Sequence, residues 1–242
     1  DHLADTGPDF ASNRKKLLKY DNFVTSNFIT THPSTLDFLR KKKNFHYLPI
    51  PVDKNIEKLK IYENNNQIND VFFSMSHGVN RGKLKRDKQD ERHNFITDLI
   101  TECPNIIFDI YGYNNREPVW AEDFYKVIVN SKMALNLTRG KPLKYLTSNR
   151  IASLIGNGLL TFIDKRTQLS NFFNGNEVIF YSGLEDLANK INFYKSNDKK
   201  RINVAKKGRR KYFDLFECQK VANYIISKSF NREISKKLKW MD

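Results

Sequence analysis

The segment Asn136-Leu-Thr-Arg-Gly-Lys-Pro-Leu-Lys-Tyr-Leu-Thr-Ser-Asn-Arg150 gathers the cations Arg139, Lys141, Lys144 and Arg150 around a Thr-Ser-Asn run. Ser148 and Asn149 are helix-capping types, and the first turn of a helix keeps N–H groups that no carbonyl of its own reaches. With the positive end of the helix dipole and a nearby guanidinium, such a turn suits a diphosphate. The same residues also fit an ordinary capped helix beside an exposed basic loop. A second loop, Ser76-His-Gly-Val-Asn-Arg-Gly-Lys83, sets Gly78 and Gly82 beside Arg81 and Lys83, with Lys85 and Arg86 following. Glycine-bearing turns can present backbone N–H groups to phosphate oxygens while Arg adds a planar fork. Gly78-x-x-x-Gly82 is neither a Walker loop nor a dinucleotide fingerprint, so a solvated basic loop fits it too. No Asp-x-Asp pair or Cys/His spacing recommends a metal site, and none is expected.

These loops need strands to hold them. Val71–Met75, Ile106–Gly112, Met133–Leu137, Leu159–Ile163 and Glu177–Tyr181 read as buried strands. Between and after them, helical patterns run over Arg92–Thr101, Glu122–Asn130, Asn149–Ile155, Leu184–Lys195 and about Lys199–Phe213. Strands alternating with helices predict a doubly wound, mostly parallel α/β sheet over about 54–220. In such sheets ligands bind beyond the carboxyl ends of the strands, where both basic loops fall. Upstream, Asn22–Thr30 reads as a strand, Thr31–Leu39 as a helix with Pro33 near its start, and Phe45–Asp53 as a strand running into a stiff Pro49/Pro51 segment. A boundary is placed near Asp53.

A chain of 242 residues with 39% hydrophobic and 13% aromatic content has material for a substantial core, which excludes disordered and fibrous classes. Its 42 Lys and Arg against 27 Asp and Glu give a net charge of +15. No run approaches the roughly 20 apolar residues that span a bilayer. Cys103 and Cys218 are far apart and are expected to be unbridged thiols, consistent with a reducing, cytoplasmic location. The chain opens Asp-His-Leu-Ala-Asp without an initiator Met or a signal-peptide pattern, and is read as continuing from something N-terminal.

Arg150-Ile-Ala-Ser-Leu-Ile-Gly-Asn-Gly-Leu-Leu-Thr161 resembles the R-x-x-E-A-x-x-x-G helix-turn-strand of group 1 glycosyltransferases of the GT-B fold, especially the bacterial CgeB-like branch. Tyr47-Leu-Pro-Ile-Pro-Val-Asp53 is similar to the linker between the two Rossmann-like domains of that fold. Phe108-Asp-Ile-Tyr-Gly112, Asp123–Asn136 and Lys206-Lys-Gly-Arg-Arg-Lys-Tyr212 resemble its later motifs in order and spacing, over about residues 20–225. The resemblance implies that 54–224 is the nucleotide-sugar-binding domain and 1–53 the end of an N-terminal acceptor domain. A closing helix, from about Ile225 to Lys237 within 225–242, would return to that N-terminal domain.

It further implies transfer of a hexosyl group from a nucleotide sugar, here a substrate and not a cofactor, to a cell-surface glycan or lipid-linked acceptor. Polysaccharide or lipopolysaccharide assembly is the setting it implies. Arg150 and Arg139 would neutralise the leaving diphosphate. Gly78, Arg81, Arg92, Gly112, Asn136, Thr138, Tyr145, Ser148, Asn149 and Ser153 would surround the donor. The family's helix Glu, which bonds the ribose, falls at Ser153, so that charge-assisted bond is missing. Peripheral contact with the anionic inner face of the membrane follows from the family's basic surfaces. Two rival readings stand beside this one. The charge could serve nucleic acid, although no recognition motif accompanies it and the cations are spread along the chain. Alternatively, the loss at Ser153 could leave an inactive interaction domain.

Overall fold

The computed structural model describes residues 26–39, 41–75, 90–234 and 238–241. Two short strands, β1 (Asn27–Ile29) and β2 (Phe45–Tyr47), pair in parallel with Ile29 opposite Tyr47. A five-stranded parallel sheet follows, made of β3 (Asn69–Ser74), β4 (Phe108–Tyr111), β5 (Ser131–Asn136), β6 (Leu160–Asp164) and β7 (Ile179–Tyr181) in the order β4-β3-β5-β6-β7. Alternate residues of β3 bury to opposite sides. Val71 and Phe73 join one apolar cluster with Ile96 and Leu99 of α1 (Glu91–Glu102), while Phe72 joins another with Ile128 of α2 (Ala121–Ile128) and Leu154 of α3 (Asn149–Gly156). Leu187 and Ile191 of α4 (Leu184–Lys195) pack on the α1 side. Covering on both faces is why these strands read as continuous apolar runs. The doubly wound parallel α/β sheet predicted from the sequence is the one observed.

From β3 the chain leaves toward one face, through α1, and from β5 toward the other, through α3. Loops that diverge from neighbouring parallel strands leave a crevice over their carboxyl ends. It lies over Ser74 and Asn136, the last residues of β3 and β5.

The helix predicted over Thr31–Leu39 is instead two short 3-10 turns, Pro33–Thr35 and Asp37–Leu39. Leu36 between them is extended, with φ −108° and ψ 105°. Each turn closes on itself, Leu36 N donating to Pro33 O at 3.1 Å and Leu39 N to Leu36 O at 2.8 Å, while Leu36 and Leu39 bury with Ile29 and Phe45. The closing helix also differs. Helix α5 (Asp198–Phe216) ends at Glu217 and α6 runs over Cys218–Ser229, several residues earlier than predicted. The break is imposed by the linker: Val52 donates its N–H to Phe216 O at 2.9 Å and accepts from Cys218 N at 2.9 Å, a strand-like bridge no continuous helix could make. Tyr224 of α6 packs edge-on against Phe28 at 6.0 Å, and Ser26 Oγ donates to Lys228 O. Both cysteines are free, Cys103 in the core and Cys218 donating to Asp53 Oδ2 at 3.3 Å.

A buried carboxylate ties the opposite end of the sheet. Asp70 accepts from Ile107 N at 3.0 Å, from Lys195 Nζ at 2.8 Å and from Lys132 Nζ at 3.2 Å. Burial alone would raise its pKa, but the Ile107 N–H and the two ammonium groups more than reverse this and hold it below the usual value. A depressed carboxylate contributes stability above its unfolded pKa, and that contribution is lost as pH falls through the folded one. Asp70→Asn is expected to cost about 2 kcal/mol in urea unfolding at neutral pH, since both lysines are partly solvated. The difference from the parent should shrink as pH drops below 3.8, the ordinary carboxylate value. A difference that stays constant down to acid pH would show that charge is not its source.

Candidate functional site

Arg150, the second residue of α3, reaches back over the crevice. Its Nη1 donates to Ser74 O at 2.5 Å, its Nη2 to Leu137 O at 2.6 Å and its Nε to Asn136 Oδ1 at 3.3 Å. The guanidinium also lies over the Phe73 ring, 5.1 Å from its centre. Every one of these partners is neutral. Burial and the like charge of Arg92 push its pKa down to about 9, which leaves it protonated at neutral pH. Half-buried and bonded, among the described residues, to neutral oxygens alone, this cation has no counter-charge there, and an anion entering the crevice would supply one.

Two polar groups beside it also lack partners. Asn136 is buried, its Oδ1 is taken by Arg150, and its Nδ2 has no acceptor. Ser148 is the residue before α3, in extended conformation with φ −135° and ψ 165°, and its Oγ is buried without capping the helix or bonding elsewhere. Asn149 begins the helix exposed. The first turn of α3, the free Asn136 Nδ2 and the free Ser148 hydroxyl thus belong to the segments that flank the half-buried Arg150. Donors in that arrangement fit the oxygens of a phosphate.

The remaining candidates separate into groups. Arg92 is buried and turned to Asp90, with Nη2 to Oδ2 at 2.6 Å. Arg139 lies near enough to help hold the Asp90 carboxyl low, after the larger effects of burial, which opposes, and of Arg92. Arg92 and Thr138 line a cavity of about 390 Å³ at the ends of β5, β6 and β7. Tyr145 is buried between Tyr47 and Phe172, its hydroxyl accepting from Asn171 Nδ2 at 2.8 Å, so it holds the joint beneath the loop. Gly112 sits against Met75, as discussed below. Gly78 and Arg81 fall outside the described residues.

Ser153 opens on a residue that the sequence did not single out. Its Oγ is 3.4 Å from Tyr125 Oη, which in turn donates to Glu57 Oε1 at 3.4 Å. Glu57 is 5% exposed, and burial pushes its pKa up. A carboxyl group therefore stands behind the position where the helix lacks one. The signal in the sequence was indirect: a Cβ on Gly156 would come 2.6 Å from Glu57 Cγ, so the glycine records the space Glu57 needs. Among the described residues no group of three or more His, Cys, Asp or Glu side chains forms a metal site, and no helix is long and apolar enough to cross a membrane.

In parallel α/β sheets the crevice at the switch point is where ligands bind. The narrower assignment comes from comparison: residues 88–227, more than half of the chain, match the glycosyl transferase-like family, and the chain belongs to it. No curated protein sequence matches the chain. Among solved structures, HepE of Anabaena in complex with UDP superposes with a TM-score of 0.66 at 12% identity, over 90% of this chain and 67% of that one. TarM gives 0.64 at 12% identity, over 94% and 48%. Sucrose-phosphate synthase of Thermosynechococcus elongatus gives 0.56 at 10% identity, over 93% and 63%. These likenesses show the GT-B glycosyltransferase fold. The chain spans about two thirds of HepE and about half of TarM.

Proposed function

We propose that the chain carries the donor-binding part of a bacterial glycosyltransferase of the CgeB-like branch. It would transfer a hexosyl group from a nucleotide sugar to a glycan or lipid-linked acceptor in cell-surface polysaccharide or lipopolysaccharide assembly. Residues 54–224 form the donor domain in this reading, 1–53 belong to an acceptor domain, and 225–242 return to it. The observation that carries the proposal is Arg150, a protonated guanidinium bonded, among the described residues, only to neutral oxygens, with Asn136 Nδ2 and Ser148 Oγ unpartnered there. As the bond between the anomeric carbon and the diphosphate oxygen breaks, negative charge grows on the leaving group. Fixed cations and helix N–H groups stabilise that charge without rearranging. Because Arg150 supplies the positive charge, the reaction needs neither metal nor cofactor in this reading. HepE and TarM were both solved with UDP, which supports a uridine nucleotide as the first donor to try.

The enzyme would work in the cytoplasm, at the inner face of the membrane. Lys199, Lys206 and Arg210 are exposed at helical spacing along one face of α5 and would meet anionic lipid there. Calorimetry tests the nucleotide reading: UDP should bind saturably, with unchanged affinity in EDTA and without competition from single-stranded RNA. Binding that requires added magnesium would overturn metal independence. No binding of UDP or GDP would overturn the nucleotide reading itself.

A further inference from the structure

The loop from β5 to α3 is fastened at both ends. Leu137 O accepts from Arg150 Nη2 at 2.6 Å at its start. Further on, Lys144 O accepts from His32 N at 2.9 Å, Tyr145 N donates to Thr167 O at 2.7 Å, and Leu143 packs against the cluster of Ile29 and Phe45. Between these anchors residues 138–142 form a strap that carries two cations, Arg139 and Lys141. Thr138, Gly140 and Lys141 of the strap line the 390 Å³ cavity together with Glu91 and Arg92 of α1. That cavity adjoins the Arg150 crevice, since Leu137 belongs to both.

A carboxylate joins the strap to α1. Gly140 N donates to Glu91 Oε1 at 2.5 Å. Gly140 has φ 74°, which L side chains rarely adopt, yet a Cβ there would meet nothing within 4 Å. The glycine therefore serves the turn of the backbone and not the room around it. Its neighbour Arg139 acts on the carboxylate of Asp90, the residue that caps α1, so two successive residues of the strap meet the start of that helix.

Glu91 is out of place on charge alone. A carboxylate lining a cavity next to an anion-binding crevice repels the anion. An acidic residue in a first turn suits the helix dipole, but Asp90 already serves that end, its buried side chain accepting from Arg92 N at 3.1 Å. Glu91 is exposed, so no buried partner demands it. What it adds is an acceptor for Gly140.

We propose that Glu91 is a positioning residue: its carboxylate latches the strap to α1, which sets Arg139 and Lys141 beside the crevice and slows the departure of an anion held there. The effect on ligand release rests on the nucleotide reading above, whereas the latch itself does not.

The parent, Glu91→Gln and Glu91→Ala decide the matter, with circular dichroism as the control for folding. Glutamine keeps an oxygen that can accept from Gly140 and drops the charge, while alanine drops both. The first readout is hydrogen exchange of the Gly140 amide, followed by NMR without ligand. It should be about tenfold faster in Glu91→Ala and closer to the parent in Glu91→Gln. The second is stopped-flow release of a fluorescent UDP derivative, expected to be roughly three- to tenfold faster in Glu91→Ala, again with Glu91→Gln closer to the parent. Equal exchange or equal release in the parent and Glu91→Ala would overturn the proposal. So would Glu91→Gln matching Glu91→Ala, or slower release from both variants, since either would mean that the side chain acts by charge. If UDP does not bind the parent, the nucleotide reading falls, and Gly140 exchange judges the latch alone by the same comparison.

Discussion

Replacing Arg150 by alanine is expected to weaken UDP binding by tenfold or more and to leave the fold intact. A charge-assisted hydrogen bond contributes roughly 1.5 to 3 kcal/mol, about ten- to a hundredfold in affinity. The loss should be larger at low ionic strength, where the charge is less screened. Stability responds to opposing effects. The variant frees Ser74 O, Leu137 O and Asn136 Oδ1, but it also removes a half-buried charge that Arg92 repels. Water can enter the crevice to meet the freed oxygens, so the net change should stay within about 1 kcal/mol. Arg150→Lys should fall between the two, because an ammonium keeps the charge but cannot hold three acceptors in one plane. Calorimetry with circular dichroism as control reads both effects. Equal affinity in the parent and Arg150→Ala would make the residue a brace for the strand ends and nothing more.

The largest effect on stability is expected from Gly112→Ala. Gly112 follows β4 with φ 76°, a backbone region that L side chains rarely adopt. A Cβ there would lie 2.0 Å from Met75 O and 3.0 Å from Met75 C. Neither atom can withdraw easily, because Met75 N donates to Tyr111 O at 3.1 Å and Gly112 N to Arg116 O at 3.0 Å, which pins the two strand ends together. Left-handed strain costs roughly 1 to 3 kcal/mol and the backbone clash adds to it, so a loss of about 3 kcal/mol or more is expected. In a domain of this size that corresponds to a Tm lower by about 6 to 12 °C. A change under about 1 kcal/mol would mean that β4 shifts freely at its end. The sequence resemblance placed Gly112 among donor-binding residues, whereas the geometry requires a glycine there for Met75, with or without a ligand.

That contrast shows what kind of information the sequence carried. The buried strands and their helices were legible because burial on both faces writes continuous apolar runs such as Val71–Phe73, and the start of α3 was legible from Ser148 and Asn149, although the Ser148 hydroxyl does not cap it. Arg150 was singled out by its place after that run and by the family motif, while the same residues also fitted an ordinary capped helix beside a basic loop. The extended Leu36 and the break at Glu217 were not, since each is decided by a partner remote in the chain: Ile29 and Phe45 for one, Val52 for the other. Glu57 was hidden for the same reason, as its surroundings Asp53-Lys-Asn-Ile-Glu-Lys58 read like any solvated stretch.

The bridge at Val52 has a mechanical consequence. The linker passes from the β1–β2 unit to the large sheet at Val52, and α5 passes back at Phe216–Cys218, so both crossings lie side by side. Two crossings so placed would act like the pins of a door, and any opening of the two units would turn about the line through them. On the opposite edge the two units touch through His32 N to Lys144 O at 2.9 Å and Thr147 N to Thr30 O at 3.3 Å. Swinging open would break those two bonds, part the Tyr145 ring from His32 and Tyr47, 5.3 and 5.4 Å away, and let water reach the buried hydroxyls of Thr30 and Thr31. The side that swings is the side that carries Ser148 and the start of α3. The leaf moves least where it is hung and most where the phosphate would sit.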